Sequence, residues 1–265
     1  MDWINIPFTK KLSADELAYL ENLSQGFDRQ LGAVSEYIGS EEFAELAMMN
    51  QQQINAFFQN SGIRQRLTEI VEYNAADSEQ FIQNFYKTGA ALGYADIGAI
   101  LAYTPADKEA LYFLTQYNFD LVTDLNLELT NGIREVIFNA VASGEGYQTT
   151  MRNLMEFPLE PINGISLRTR AEMIARTETA RAKNTGTLQA YANYGVTEVE
   201  IVTCNDGLVC DDCLDAEDQN PHTLSEAQSL LPMHPNCRCA YAPVVPDPEE
   251  LGPVDSPPVM DLTEE

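Results

Sequence analysis

The sequence predicts an α+β chain that is mainly helical: a helical N-terminal two-thirds, then a small cysteine/histidine-rich module with a short antiparallel β-ribbon. Three observations carry that expectation. Apolar residues recur at three- and four-residue spacing through the first 160 positions, with capping signals at their starts. All five cysteines fall between residues 204 and 239. On either side of that cluster, short runs read as strands.

The first helix starts at Ser13-Ala-Asp-Glu16, a capping box, and carries Leu17, Leu20, Phe27 and Leu31 on its apolar face. Ser40, Glu41 and Glu42 mark a second start, continued by Phe43, Leu46, Ala47, Ile54 and Phe58. Gln51–Gln53, Gln59 and Asn60 read as a solvated face. Thr104-Pro105 is a third start, a cap followed by proline at the first helical position. The stripe Ile133, Val136, Ile137, Ala140, Val141 runs to a C-cap at Ser143-Gly144. All of these apolar stripes read as packing faces, and no chemistry is visible before residue 160.

Pro158, Pro161, Asn163 and Gly164 then break the pattern. Ser166 to Tyr194 reads as a strong helix ended by Gly195. It carries Arg168, Arg170, Arg176, Arg181 and Lys183 against only Glu172 and Glu178. Val196 to Thr203 reads as a strand, with Val199 and Ile201 alternating against Glu198 and Glu200. Ser225 with Gln228 predicts the cap of a short helix through Leu231. Ala240 to Val245 reads as an edge strand, because Pro243 cannot donate to a ladder. Residues 246–265 hold five prolines and seven acids without a base, a composition that forms no core of its own. The expected organisation is therefore an N-terminal helical region 1–95, helices 96–165, a helix plus cysteine module 166–245, and an acidic tail 246–265.

Composition narrows the function classes. The 265 residues include 41 acids and 15 bases, a net charge of −26. Most of such a surface repels nucleic acid, which argues against a free-standing DNA-binding module. The start Met1-Asp-Trp-Ile-Asn5 lacks the basic, apolar pattern of a signal peptide, and Gly89–Tyr103 is too short to span a bilayer. Cytosolic synthesis and no membrane partner are the expectation.

Cysteines clustered in a reducing compartment call for a metal before a bridge, and an odd count cannot pair completely. Cys210 and Cys213 form one C-x2-C knuckle; His234 and Cys237 repeat the spacing, followed by Cys239. Together they suit a closed, structural tetrahedral Zn²⁺ site. Cys204 lies apart and is the expected non-ligand. The fourth bond is left between His234 and Cys239, and Cys237 with Cys239 on one strand face is an equally open pairing. Buried reduced thiols, or disulfides formed later, are the competing reading. His222 reads as structural. H-x-E…P-C-x-x-C and H-E-x-x-H signatures are absent, as are a P-loop and G-x-G-x-x-G, so no enzymatic constellation is expected.

Ile174-Ala-Arg-Thr-Glu-Thr-Ala-Arg181, Asn184-x-Gly186, Tyr191 and Gly195-Val196 occur in that order. Asp206, Cys210-x2-Cys213 and His234-Pro-Asn-Cys-Arg-Cys239 follow. In this the chain resembles the phage Mu F-like minor head (head morphogenesis) family, over roughly residues 100 to 245 and most sharply from Ala171 to Pro243. The resemblance implies a minor capsid protein of a tailed phage or prophage. It would be made in the host cytoplasm and carried in the virion, contacting the portal and other head proteins during assembly and DNA packaging or delivery. Residues 1–90 match nothing in the family pattern, which keeps open an effector, toxin or enzyme fused to a head-type module.

Arg176, Thr177 and Glu178 point about 100° apart on a helix, so one-sided packing turns at least one inward, where it needs a partner. Glu178 and Arg181 are spaced for an ion pair, and Arg168, Glu172 and Arg176 for an in-line triad. Arg176, Thr177, Glu178, Arg181, Asp206 and Arg238 are the candidate structural or interaction residues. The choices are a surface ion-pair network, a polar clamp onto the cysteine module, or a weak contact with portal or packaged DNA through Arg168–Lys183.

Overall fold

The computed structural model describes residues 12–38, 62–143, 147–159, 161–162 and 165–244. The expectations for residues 1–5, 40–60, Gly144 and the tail 246–265 lie outside them. Among the described residues there are seven α-helices. They are α1 (Ala14–Ile38), α2 (Gly62–Asp96), α3 (Pro105–Ser143), α4 (Tyr147–Glu156), α5 (Leu167–Asn193), α6 (Asp211–Asp218) and α7 (Leu224–Ala227). A minimal hairpin pairs β1 (Pro161–Ile162) with β2 (Ile165–Ser166). A three-stranded antiparallel sheet has the order β4-β3-β5, with β3 Glu198–Val202, β4 His222–Thr223 and β5 Ala240–Pro243. No described helix is long and apolar enough to cross a membrane.

The chain divides into two units, Met1–Ser78 with Phe119–Glu172, and Glu79–Asn118 with Met173–Glu265. In the first, α1 begins as its sequence requires: Ser13 Oγ accepts the Glu16 N–H, and Glu16 accepts the Ser13 N–H. Leu20, Leu23, Phe27 and Leu31 of α1 are buried, as are Leu67 and Val71 of α2 and Leu125, Leu129, Ile133 and Ile137 of α3. Leu17, expected on that face, is 38% exposed. Tyr19, at 0%, and Leu20, at 2%, take the buried positions there instead. Buried amides run through this core. Asn74 Nδ2 donates to Asn126 Oδ1 at 2.8 Å and to the Gly26 carbonyl at 3.2 Å. Gln30 Nε2 also donates to Asn126 Oδ1, and Arg29 Nε donates to Asn74 Oδ1 at 2.7 Å.

In the second unit, residues 79–96 of α2 lie directly on residues 173–193 of α5. Glycines allow this. A Cβ on Gly186 would stand 2.2 Å from the Tyr86 carbonyl oxygen, and one on Gly89 would stand 1.9 Å from that of Lys183. Thr187 Oγ1 donates across the crossing to the Gly89 carbonyl at 2.9 Å. The start of α3 is fixed by Asp107. Its carboxylate accepts from the Thr104 N–H and hydroxyl at 2.6 and 2.8 Å, and from the Tyr86 hydroxyl.

α5 ends in a Schellman motif: Gly195 at φ 75°, Val196 N–H to the Tyr191 carbonyl, and Gly195 N–H to that of Ala192. The chain then enters β3, whose Val199 and Ile201 are buried while Glu198 and Glu200 face out. β5 is an edge strand, as its proline demands. Two elements differ from expectation. The short helix is capped by Thr223 with Glu226 in a reciprocal box, not by Ser225 with Gln228, and it ends at Ala227, not Leu231. The earlier pair wins because Thr223 also closes β4 against Glu198. The strand β4 itself adds a third member to the expected two-stranded ribbon.

Candidate metal centre

β3, α6 and the loop before β5 bring the two knuckles together. Cys210 is the N-cap of α6 and Cys213 its third helical residue, so one helical turn aims both thiols the same way. His234 to Cys237 forms a tight turn closed by the Cys237 N–H on the His234 carbonyl at 3.1 Å. His234 Nε2 lies 3.1 Å from Cys210 Sγ and 3.2 Å from Cys213 Sγ, and Cys213 Sγ lies 4.0 Å from Cys237 Sγ. Cys210, Cys213 and His234 form one group of donors within 4.8 Å of one another; Cys213, Cys237 and Cys239 form a second, sharing Cys213. Cys204 is exposed and belongs to neither. His222 Nε2 is 2.8 Å from the Ala216 carbonyl, a structural contact.

The donor chemistry fits a soft or borderline dication. Tetrahedral zinc with sulfur at about 2.3 Å and nitrogen at about 2.0–2.1 Å sets donor separations of roughly 3.5–3.8 Å. The contacts at 3.1, 3.2 and 4.0 Å bracket that range. A cavity of about 20 Å³, room for one water-sized body, is lined by Cys210, Cys213, His234 and Cys239. The histidine tautomer is set for ligation: Nδ1–H donates to the Pro235 carbonyl at 2.8 Å, leaving the Nε2 lone pair facing the sulfurs.

Electrostatics divide the thiols. The backbone amide of Cys213 holds Cys210 below the usual thiol value. Burial pushes Cys213 up to about 12. Cys237 is lowered to about 5, first by a hydrogen bond from Cys239, which is itself pushed up by giving that bond and by burial. The Pro235 carbonyl is the main cause that raises His234.

The flanking candidates are drawn in by the same fold. Arg238 forks onto Asp206 with both contacts at 2.7 Å, and Asp206 also accepts the Leu208 N–H at 3.0 Å. This ties the loop before the first knuckle to the second. Arg176, Thr177 and Glu178 are all buried, at 3%, 8% and 4% exposure. Arg176 Nη1 donates to Asn236 Oδ1 at 3.2 Å, and Thr177 Oγ1 accepts the Asn236 N–H at 3.0 Å. Glu178 points elsewhere, to Arg181 at 3.0 Å, whose guanidinium lies 5.2 Å over the Tyr117 ring. Sequence reading gave no role to Asn236 or Asn184. Asn184 Nδ2 donates to the Cys239 carbonyl at 3.0 Å. Its seven-residue spacing from Thr177, two helical turns on one face, was the available signal.

Burial raises the Glu178 carboxyl above the usual carboxylate range, with the charge and hydrogen bond of Arg181 opposing. A carboxyl raised in the folded chain favours folding while protonated, and that contribution is lost as pH rises through the raised value. Wild type should therefore lose stability relative to Glu178→Gln between acid pH and neutrality. Melting temperatures of the two at each pH check this; a pH-independent difference excludes it.

Residues 131–242, under half of the chain, match the family described as Phage Mu protein F like protein. Over that span the chain is similar to the phage Mu protein F family. The Mu F-like segment takes in α5, the sheet as far as Ala242 and every cysteine and histidine of the cluster. No curated protein and no solved structure matches the chain.

Proposed function

We propose that the chain is a minor head, or head morphogenesis, protein of a tailed phage or prophage, acting by contacts with the portal and other head proteins. The observation that carries this reading is the Mu F-like match, which spans both knuckles and the Arg-Thr-Glu helix together. Charge agrees. The five bases on the helix are engaged within the protein: Arg168 with the charge of Glu172, Arg170 with Glu128, Arg176 with Asn236, Arg181 with Glu178, and Lys183 over the Phe85 ring at 6.0 Å. This leaves the helix a poor phosphate ligand and favours protein over DNA as partner. Tyr112 and Phe113 of α3 are 69% and 66% exposed, large side chains that a protein contact would cover.

The cluster is proposed to hold one structural Zn²⁺ through Cys210, Cys213 and His234, with Cys237, 4.0 Å from the shared Cys213, drawn in as the fourth donor. Cys239 then serves as the hydrogen-bonding thiol of Cys237. A closed four-coordinate ion would cross-link α6 to the loop before β5. The head role is tested on purified proheads and virions of the encoding phage. Peptides of this chain should be found in them, and tagged chain should retain the portal protein. Absence from both particles overturns the role.

A further inference from the structure

Asn236 stands between His234 and Cys237 with φ of 65°, the left-handed region in which asparagine is one of the few L-residues found routinely. A turn of that kind decides whether the two side chains flanking it converge on one point or diverge. Within the cysteine module the turn is closed by the Cys237 N–H on the His234 carbonyl at 3.1 Å. The groups that hold Asn236 itself come from α5: the Thr177 hydroxyl accepts the Asn236 N–H at 3.0 Å, and the Arg176 guanidinium donates to the Asn236 side-chain oxygen at 3.2 Å. Both are nine-tenths or more buried. A guanidinium removed from water is costly to place unless its partner is fixed, so its position restrains Asn236 as firmly as Asn236 restrains it. Two turns further along the same face, Asn184 fixes the Cys239 carbonyl at 3.0 Å. These contacts fall on Asn236 and on the Cys239 carbonyl, groups that flank the donor atoms. They hold the backbone that carries them.

We infer that Thr177 and Arg176 are positioning residues for the metal centre: they fix the left-handed turn at Asn236 and thereby set the spacing of His234 and Cys237. Metal affinity is then a property of α5 together with the cysteine module, not of the module alone. The inference rests on the metal reading above. Linkage makes it reciprocal. Whatever factor the α5 contact adds to metal affinity, bound metal adds to the α5 contact.

The test uses the full chain with Zn²⁺ in competition with a chromophoric chelator, Co²⁺ absorption spectra, and melting with and without EDTA. Thr177→Val keeps the shape and removes the acceptor. It should weaken zinc about 10–100-fold, as loss of an outer partner of a ligand does. It should also perturb the Co²⁺ ligand-field bands and lower the melting temperature more with zinc bound than after EDTA. Thr177→Ser and Asn236→Asp retain the contacts and should bind like wild type. Thr177→Val with wild-type zinc affinity, or with equal melting losses in both states, overturns the inference and leaves an ordinary packing role. If Thr177→Val does not fold, Asn236→Gly keeps the turn and deletes only the Arg176 acceptor; zinc affinity equal to wild type then overturns it. Wild type that takes up no zinc sinks the metal reading and this inference together, a result read on a different sample.

Discussion

Exchanging Cys213 for serine is expected to remove the metal and the largest single block of stability in the cysteine module. Cys213 is the one donor common to both groups, and it is 2% exposed in the core formed by Leu188, Tyr191, Val199, Ile201 and Tyr241. Freshly reduced wild-type chain should carry about one zinc, as one closed site requires. With free zinc about a thousandfold above its dissociation constant, binding contributes about 4 kcal/mol, or roughly 8–16 °C of melting temperature at about 2–4 °C per kcal/mol. EDTA should remove that increment from wild type and leave Cys213→Ser unchanged. Cys204→Ser, outside both groups, should behave as wild type in metal content and melting. Wild type that holds no metal and ignores the chelator overturns the prediction. Bound metal in Cys213→Ser at wild-type affinity would show that this sulfur is not a ligand.

Gly186→Ala should be among the most damaging single methyls in the second unit. The new Cβ would lie 2.2 Å from the Tyr86 carbonyl oxygen and 2.8 Å from the Ala90 nitrogen, both backbone atoms of α2. A side chain can rotate away; a helix backbone must move bodily, and Thr187 loses its bond to Gly89 as it does. The expected cost is about 3 kcal/mol or more, at the top of the range for overpacked cores. Gly32→Ala is the control. Nothing lies within 4 Å of its Cβ, so the gain in helix propensity should leave it neutral or more stable by up to about 1 kcal/mol. Denaturant unfolding of both variants checks the pair, and equal midpoints would refute the close crossing.

Local chemistry was legible in the sequence; pairing across distance was not. The Ser13–Glu16 box, the Thr104-Pro105 start, the Gly195 stop and the edge character of β5 each depend on a few adjacent residues, and each is found. The cysteine and histidine spacing likewise identified which side chains could converge. The glycine crossing of α2 on α5 was invisible, because Gly89 and Gly186 are nearly a hundred residues apart and neither breaks its helix. β4 was missed because two residues have no periodicity. The cap of α7 was misplaced because Thr223 and Ser225 offer the same hydroxyl three residues before a suitable acceptor, and only the pairing of Thr223 with Glu198 separates them. Asn236 carried no signal of its left-handed turn beyond being asparagine.

The amides buried in the first unit have a further effect. Apolar helix faces of leucine, isoleucine and valine tolerate sliding, since one methyl surface resembles the next a turn away. Gln30 of α1, Asn74 of α2 and Asn126 of α3 meet at one level. Displacing any of these helices by one turn, about 5.4 Å, would leave several amide groups facing hydrocarbon at about 1–3 kcal/mol each. The seam acts as a vernier, selecting one longitudinal alignment from several that apolar contact would accept almost equally. Replacing all three by leucine should therefore yield a core at least as apolar, but one populated in more than one alignment.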